Sequence, residues 1–286
     1  MPVSESPVTL RVEPTPVTLR VEADVVLSLS VRTPTGWSPA AGTAVVAHGA
    51  GSGKGFVDAA FGPALHRLGR RLVAYDLRGH GRSTPVAEVA RLSPAAHVAD
   101  LVALTRTFDA TLVGGVSMGA HAALFAAAQG RLPDLAGLLL VMPAWTGSPD
   151  VVAAANAVQA AELRRVGTAE VLARITREHP GWVADELAGS WPGHDATAFA
   201  AVLDALAASD APTPGQLAGV EVPAGLVALA DDPMHPAGVA ETWAAAMPHA
   251  ALRHVAFDAP AASRAVLGDA AVDAWQEASR QVSGSR

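Results

Sequence analysis

The sequence predicts an α/β protein: a mainly parallel sheet with helices on both faces, interrupted once by a helical insertion. Three observations predict it. From residue 43, short apolar runs alternate with helix-like segments. That is the rhythm of a parallel sheet whose crossovers are helices. Between 145 and 215 the rhythm breaks, with helix candidates and no convincing strand. And the apolar run Ala110–Val113 leads into Gly115-Val116-Ser117-Met118-Gly119 and then a small-residue helical stretch, His121 to Ala128. Strand, sharp turn and helix is the setting in which Gly-x-Ser-x-Gly presents a reactive serine.

Taken in order, the first elements are strands. Pro7-Val8-Thr9-Leu10-Arg11-Val12-Glu13 recurs as Pro16-Val17-Thr18-Leu19-Arg20-Val21-Glu22, and each copy alternates apolar and polar residues. Two copies are too few for a repeat architecture. The second copy reads as the first strand, pairing with Val25 to Val31 across Ala23-Asp24. The first reads as a duplicated leader. Ala44 to Ala47 is a strand that breaks into the glycine-rich loop His48-Gly49-Ala50-Gly51. Ala59 to Leu68 follows as a helix, then a buried-type strand, Leu72 to Leu77. Ser93-Pro94 starts a helix, with serine as N-cap and proline at the first helical position; Val98, Leu101, Val102 and Thr105 line one of its faces. Leu135 to Val141 is another strand. Helices are expected over 150–165, starting at Ser148-Pro149-Asp150, and over 168–178 and 195–208. Asp210 to Gly215 reads as a linker. A strand (224–230), a helix (237–247), a short strand (251–256) and a last helix (262–280) complete the chain.

Bulk properties narrow the classes. The chain has 286 residues, a net charge of −7 and no cysteine. It exceeds the usual ~150 residues per domain, but α/β enzymes reach ~250 in one core. Hydrophobic content is 50%, much of it alanine, so helices should pack closely. No stretch approaches the ~20 apolar residues of a membrane span, and Met1-Pro2-Val3-Ser4-Glu5 lacks the marks of a secretory signal. Lack of cysteine removes disulfides and fits a cytoplasmic protein. The acidic balance argues against nucleic acid as a partner. Oligomeric state is left open.

The pentapeptide carries the chemistry. A serine on so tight a turn sits at strained backbone angles, and a side chain two residues to either side would collide with the neighbouring strand or helix, so glycine is required there. The order His48-Gly49, Asp76-Leu77-Arg78-Gly79-His80-Gly81-Arg82-Ser83, Gly115 to Gly119 and Asp232-Pro233 resembles the α/β-hydrolase superfamily over roughly residues 16 to 280. The resemblance implies Ser117 as nucleophile and an acid after the strand ending near Ala230. It implies an oxyanion hole from the N–H groups of Met118 and Ala50. It also implies that the helical insertion, 145–215, is a cap over a core of 16–144 and 216–286, with 1–15 as a leader. Trp145, Trp182 and Trp191 fall in that cap; they either pack it onto the core or line an apolar pocket. The substrate is expected to be a small acyl compound, and no cofactor is expected.

A serine nucleophile needs a base, and the base an orienting acid. Asp232, which directly precedes Pro233, is favoured as the acid over Asp231, which reads as a solvated turn residue. The family places the histidine in the loop after the last strand. That loop here is Val255-Ala256-Phe257-Asp258-Ala259-Pro260, without histidine, and Ala259 stands about where one is expected. His235, in the acid loop itself, is the first candidate for the base. His254, in the last strand, is the second, and a chain with no base is the third. His249 lies at the wrong end of that strand. His121 reads as packing against the sheet, His48 as bracing the oxyanion loop, His80 as bracing the loop after Arg78. His66, His97, His179 and His194 read as surface or helix-face residues.

Other signals are weaker. Gly51-Ser52-Gly53-Lys54-Gly55 lacks the spacing of a phosphate loop, with His48 where its first glycine belongs and Gly55 in place of Ser/Thr. No metal-ligand cluster and no Gly-x-Gly-x-x-Gly after a strand is present. Asp100 reads as a solvated or capping carboxylate and Asp76 as an anchor of the Arg78 loop. Two main functions remain: a serine hydrolase acting on an ester, thioester or related acyl substrate, or a fold relative that no longer hydrolyses, a lyase, cyclase or binding protein. A purely structural role is disfavoured, because a strained serine turn costs ~1–3 kcal/mol to no purpose there.

Overall fold

The computed structural model describes residues 17–147 and 150–284. The first copy of the repeat, the expected leader 1–15 and the Ser148-Pro149 helix start lie outside the described residues. β1 (Val17–Arg20) pairs antiparallel with β2 (Val26–Arg32), Leu19 opposite Leu27. The second repeat copy is thus the first strand, as its alternation predicts. β3 (Thr43–Ala47), α1 (Lys54–Arg67), β4 (Arg71–Tyr75), α2 (Pro94–Thr107), β5 (Leu112–Val116), α3 (Met118–Ala128) and β6 (Gly137–Val141) follow in strict alternation.

Among the described residues, eight strands form one sheet in the order β1-β2-β4-β3-β5-β6, then β7 (Ala224–Ala230) and β8 (Ala250–Ala256). Only β1 and β2 run antiparallel to their neighbours; from β4 to β8 all pairings are parallel. β3, β5 and β6 are buried at every position, which is why they read as continuous apolar runs rather than as alternation. Strand order reverses between β3 and β5, whose register sets Ala47 beside Gly115. The crevice outside the carboxyl ends of two such strands is where open α/β sheets bind ligands. The segments leaving β3, β5 and β7 at that end begin with His48, Ser117 and Asp231.

Helices cover both faces. α1 packs with α10 (Ala265–Gly284) on one face, and α2 with α3 on the other. Small residues set the spacing. A Cβ on Gly268 of α10 would lie 2.8 Å from the Phe61 Cα of α1. One on Gly225 of β7 would lie 3.0 Å from the Trp275 Cα of α10. α8 (Ala237–Ala246) packs on β7 and β8, and one short turn, α9 (Ala259–Ala262), precedes α10.

Between β6 and β7 stand α4 (Asp150–Glu178), α5 (Trp182–Ser190), α6 (Ala196–Ala207) and α7 (Pro214–Ala218). α4 is broken at Gly167, whose φ of 81° and ψ of 171° are not helical; the two halves match the expected 150–165 and 168–178. α6 packs along α4 and reaches the turn at Val89–Leu92. The expected linker 210–215 is only half a linker. Thr213 Oγ1 accepts from Gln216 N and Gln216 Oε1 accepts from Thr213 N, so Pro214 opens α7.

Two other expectations need correction. α1 begins at Lys54, not Ala59, because the Asp76 carboxylate at the end of β4 accepts its first amide, Lys54 N, at 3.0 Å. Asp100 is not solvated. It is 1% exposed and takes a two-pronged contact from the equally buried Arg78, 2.7 Å from Nε and 2.6 Å from Nη2. Arg78 also meets Glu22 at 2.7 Å, which ties the β1–β2 turn to the core. Among the described residues, no helix is long and apolar enough to cross a membrane.

Candidate active site

The turn between β5 and α3 holds Ser117 at φ 51° and ψ −115°. Positive φ at a non-glycine residue is costly and persists only where neighbours impose it. Here they do. Ser117 N donates to Val141 O of β6 at 2.9 Å, and Ser117 O accepts from Ala120 N and His121 N at 2.9 and 3.1 Å. The flanking glycines are sterically required. A Cβ on Gly115 would lie 2.6 Å from Ala120 N, and one on Gly119 2.6 Å from Ala47 O. So β5, α3 and the end of β3 come too close for any side chain.

The loop after β7 brings the acid and a histidine together. Asp232 Oδ1 accepts the amides of Met234 and His235 at 2.8 and 3.1 Å, closing a tight turn between Pro233 and Pro236. The other oxygen, Oδ2, accepts from His235 Nδ1 at 2.9 Å. With the ring proton on Nδ1, Nε2 is left as an acceptor, and the Ser117 hydroxyl donates to it at 3.0 Å. One carboxylate therefore shapes the loop with one oxygen and fixes the ring with the other. Burial pushes the Asp232 carboxyl up, but hydrogen bonds from the His235 ring and the two amides outweigh it, and the group is held below its usual range. Asp232 is buried and the His235 side chain is 22% exposed, so the ring is reachable while its partner is shielded.

The loop after β3 lies against the same serine. A Cβ on Gly49 would stand 3.1 Å from Ser117 Cβ and 3.8 Å from its Oγ. Buried histidines hold this loop. His48 Nδ1 donates to Gly49 O at 2.7 Å while its Nε2 accepts Leu77 N at 2.9 Å. His80 Nε2 accepts Gly51 N at 3.1 Å, and Ser52 N donates to Gly49 O at 3.1 Å. Burial lowers the His48 ring to about 4 against the pull of Asp76, and pushes His80 far down too, so both stay neutral. The Ala50 amide has no such partner among the described residues. The Met118 N–H sits in the first turn of α3, where no helical carbonyl is available to accept it.

The helical insertion seats on this loop. A Cβ on Gly51 would meet Phe199 and Trp191 Nε1 at 3.1 Å each. Glu186 of α5 accepts from Ser52 Oγ at 3.0 Å and from Ser190 Oγ at 2.9 Å; burial raises its carboxyl despite those bonds. Of the three tryptophans, Trp191 packs edge-on to Phe199, and Trp145 lies against His121, ring centroids 4.3 Å apart. Trp182 donates Nε1–H to Phe257 O at 2.6 Å, with Phe257, Phe56 and the Arg264 guanidinium around its ring. The histidine-free loop after β8 is thus occupied by a contact with the insertion.

The other candidates fall elsewhere. His254 is exposed and pairs with Glu241 at 2.9 Å. Asp231 is exposed, with φ 61°. His121 does pack, its ring against Trp145 and Trp243 and its Nε2 accepting Ala144 N at 3.2 Å. His97 and His194 are not surface residues; both are buried. Asp76 anchors more than the Arg78 loop, accepting from Lys54 N, Lys54 Nζ and Arg82 N. Lys54, of the phosphate-loop look-alike, is committed to that carboxylate and to Ser28. The contacts of Glu186, Trp182 and the Arg78–Asp100 pair had no signal in the sequence, since each joins segments far apart in the chain. Among the described residues, no group of three or more His, Asp or Glu side chains is arranged to hold a metal.

Solved structures of similar fold include an esterase from Thermogutta terrifontis (22% identity, TM-score 0.69, 93% of this chain and 99% of that chain covered). An enol-lactonase from Burkholderia xenovorans matches with 20% identity and a TM-score of 0.67, over 92% of this chain and 96% of that one. A bromoperoxidase from Bacillus anthracis matches with 15% identity and a TM-score of 0.73, over 92% and 100%. No match was found among curated proteins. The sequence profile of the alpha/beta hydrolase family matches residues 44–266, well over half of the chain, and the chain belongs to that family.

Proposed function

We propose that this chain is a serine hydrolase acting on a small ester, thioester or related acyl substrate, and the observation that carries the reading is the 3.0 Å contact of Ser117 Oγ with His235 Nε2. In this reading Ser117 attacks the acyl carbon while His235 Nε2 takes the hydroxyl proton. Asp232 stabilises the resulting imidazolium through Nδ1–H. The negative charge that develops on the carbonyl oxygen is met by the Ala50 and Met118 amides. Collapse of the tetrahedral intermediate expels the alcohol or thiol, which takes the proton back from His235. Water then attacks the acyl-serine by the same sequence, with His235 again as base, and frees the acid. The helical insertion acts as a cap that limits access to the half-buried serine. An esterase and an enol-lactonase among the similar structures agree with acyl chemistry. The loop after β8 lacks histidine, but the acid loop supplies one at 3.0 Å from Ser117 Oγ, which favours hydrolysis over a non-hydrolytic relative.

The test is covalent labelling with an active-site-directed fluorophosphonate, alongside turnover of short-chain aryl esters. Wild type should label and turn over ester; Ser117→Ala should do neither. Equal labelling of the two proteins would end the proposal.

A further inference from the structure

The peptide between Gly49 and Ala50 sets where the Ala50 N–H points. A trans peptide unit is flat, with its C=O and N–H on opposite sides, so whatever holds Gly49 O also fixes the direction of the Ala50 amide. Two donors hold it, His48 Nδ1 at 2.7 Å and Ser52 N at 3.1 Å. The same peptide lies against the nucleophile, since a Cβ on Gly49 would stand 3.1 Å from Ser117 Cβ. A shift of Ser52 is therefore felt at the Ala50 N–H.

The core ties down the neighbours of Ser52. His80 Nε2 accepts Gly51 N at 3.1 Å, and Asp76 accepts Lys54 N at 3.0 Å. The Ser52 side chain is held from the other side. Its hydroxyl donates to Oε1 of Glu186, on α5 of the helical insertion, at 3.0 Å, and the same oxygen accepts from Ser190 Oγ at 2.9 Å. Ser52 is only 9% exposed, so water competes little for that hydroxyl. The insertion also seats on this turn by packing. Phe199 and Trp191 Nε1 would each lie 3.1 Å from a Cβ on Gly51, and His194 stands edge-on to His80, ring centroids 5.0 Å apart.

We propose that Glu186 is a positioning residue for acyl transfer: through Ser52 it sets the Gly49–Ala50 peptide, so the oxyanion donor is fully aligned only when the helical insertion is seated. This rests on the acyl-transfer reading and deepens it, because it ties the insertion to the chemical step as well as to access. The effect passes from the carboxylate to the Ser52 hydroxyl, from Ser52 N to Gly49 O, and across one flat peptide to the Ala50 N–H. An oxyanion forms in acylation and in deacylation, so kcat feels the donor whichever step limits. KM does not, because the donor meets full charge only beyond the ground state. A whole donor is worth ~10²–10³-fold in kcat. Loosening one costs part of that, about tenfold, the worth of one net hydrogen bond.

The experiment has two readouts: turnover of p-nitrophenyl butyrate, and amide hydrogen exchange of the ¹⁵N-labelled proteins. Glu186→Ala and Ser52→Ala should each lower kcat about tenfold with KM within about twofold of wild type. The double variant should be no worse than the poorer single, since both remove one interaction. Glu186→Gln keeps an acceptor oxygen and should stay within about threefold of wild type. The Ser52 amide should exchange at least about fivefold faster in Glu186→Ala, as its bond to Gly49 O opens more often, and at the wild-type rate in Glu186→Gln. An unchanged kcat, a loss in KM alone, additive losses, equal losses in Glu186→Ala and Glu186→Gln, or unchanged Ser52 exchange overturns the assignment. If Glu186→Ala fails to fold, Ser52→Ala decides by the same kcat and KM criteria. If wild type turns over no ester and takes no fluorophosphonate, the acyl-transfer reading falls and exchange alone decides the brace: faster exchange restored by Glu186→Gln upholds it, and unchanged exchange ends it. Wild-type turnover that Glu186→Ala leaves intact has the opposite meaning, the reading standing and the positioning role falling.

Discussion

At the scale of the residue, the site turns on where one imidazole sits. His235 is three residues from its acid, on the same loop, and the Asp232 carboxylate serves both the loop backbone and the ring. His235→Gln keeps a polar side chain but removes the base. It should lower kcat/KM on an activated ester by ~10²–10⁴-fold, the usual worth of general-base assistance, with little change in Tm. Adding Ala259→His to that variant should not restore turnover, because the backbone before it is held by Trp182 through the Phe257 carbonyl. Recovery within tenfold of wild type would show that the loop after β8 still presents a base. Much of this was legible beforehand. Ser117, Asp232 and His235 stand out by residue type and by position at strand ends, and the structure brings them into hydrogen-bond contact. What held the ring was not legible, since the sequence says which groups share a loop and not which atoms meet. Nor could it show that His97 and His194 are buried, because the elements that cover them come from distant parts of the chain.

At the scale of the element, backbone proximity decides what a position tolerates. Gly115 and Gly119 are where β5, α3 and the end of β3 converge, and a methyl group at Gly115 would lie 2.6 Å from Ala120 N. Backbone cannot give as a side-chain tip can, so Gly115→Ala should destabilise by at least the ~1–3 kcal/mol typical of overpacking. Gly55, in the first turn of α1, has nothing within 4 Å of a built Cβ and no positive φ. Gly55→Ala should be neutral or stabilise by up to ~1 kcal/mol, as expected for replacing glycine in a helix. Urea unfolding of both variants tests the contrast, and similar midpoints would sink it. The same proximity explains which elements were readable. β7 and the break in α4 follow local pattern, an apolar run and a glycine. The start of α1 does not, because its first amide is received by Asp76, from the next strand. Thr213 and Gln216 lie inside a Pro-rich stretch that resembles a linker, and only their reciprocal bonds make it a helix start.

At the scale of the molecule, buried neutral histidines set the acid limit. Burial lowers His48 to about 4, and His97 and His121 to about 3. In the unfolded chain each titrates near its ordinary value of ~6.5. Above that value neither state binds the proton, and the groups leave stability independent of pH. As pH falls from about 6.5 toward 4, the unfolded chain takes up protons that the folded chain refuses, so each ring costs the fold about 1.4 kcal/mol per pH unit. These three rings alone give a slope of about 4 kcal/mol per unit, against a total of ~5–15 kcal/mol for an ordinary domain. Asp76 and Asp232, held below their usual range, add losses only at lower pH, as they protonate. Unfolding should therefore set in near pH 5, before the carboxylates titrate, with uptake of more than three protons, since burial also lowers His80 and His194. Urea midpoints between pH 8 and 4, at low protein concentration because the sequence pI is ≈ 5.8, measure it; a midpoint unchanged down to pH 5 would refute it. His97→Phe should flatten the slope by about one proton, since burial is the largest cause of its lowered ring, with Arg78 and His48 adding to it. His48 and His80 brace that loop, so acid that reaches them should remove activity and fold together rather than in separate steps.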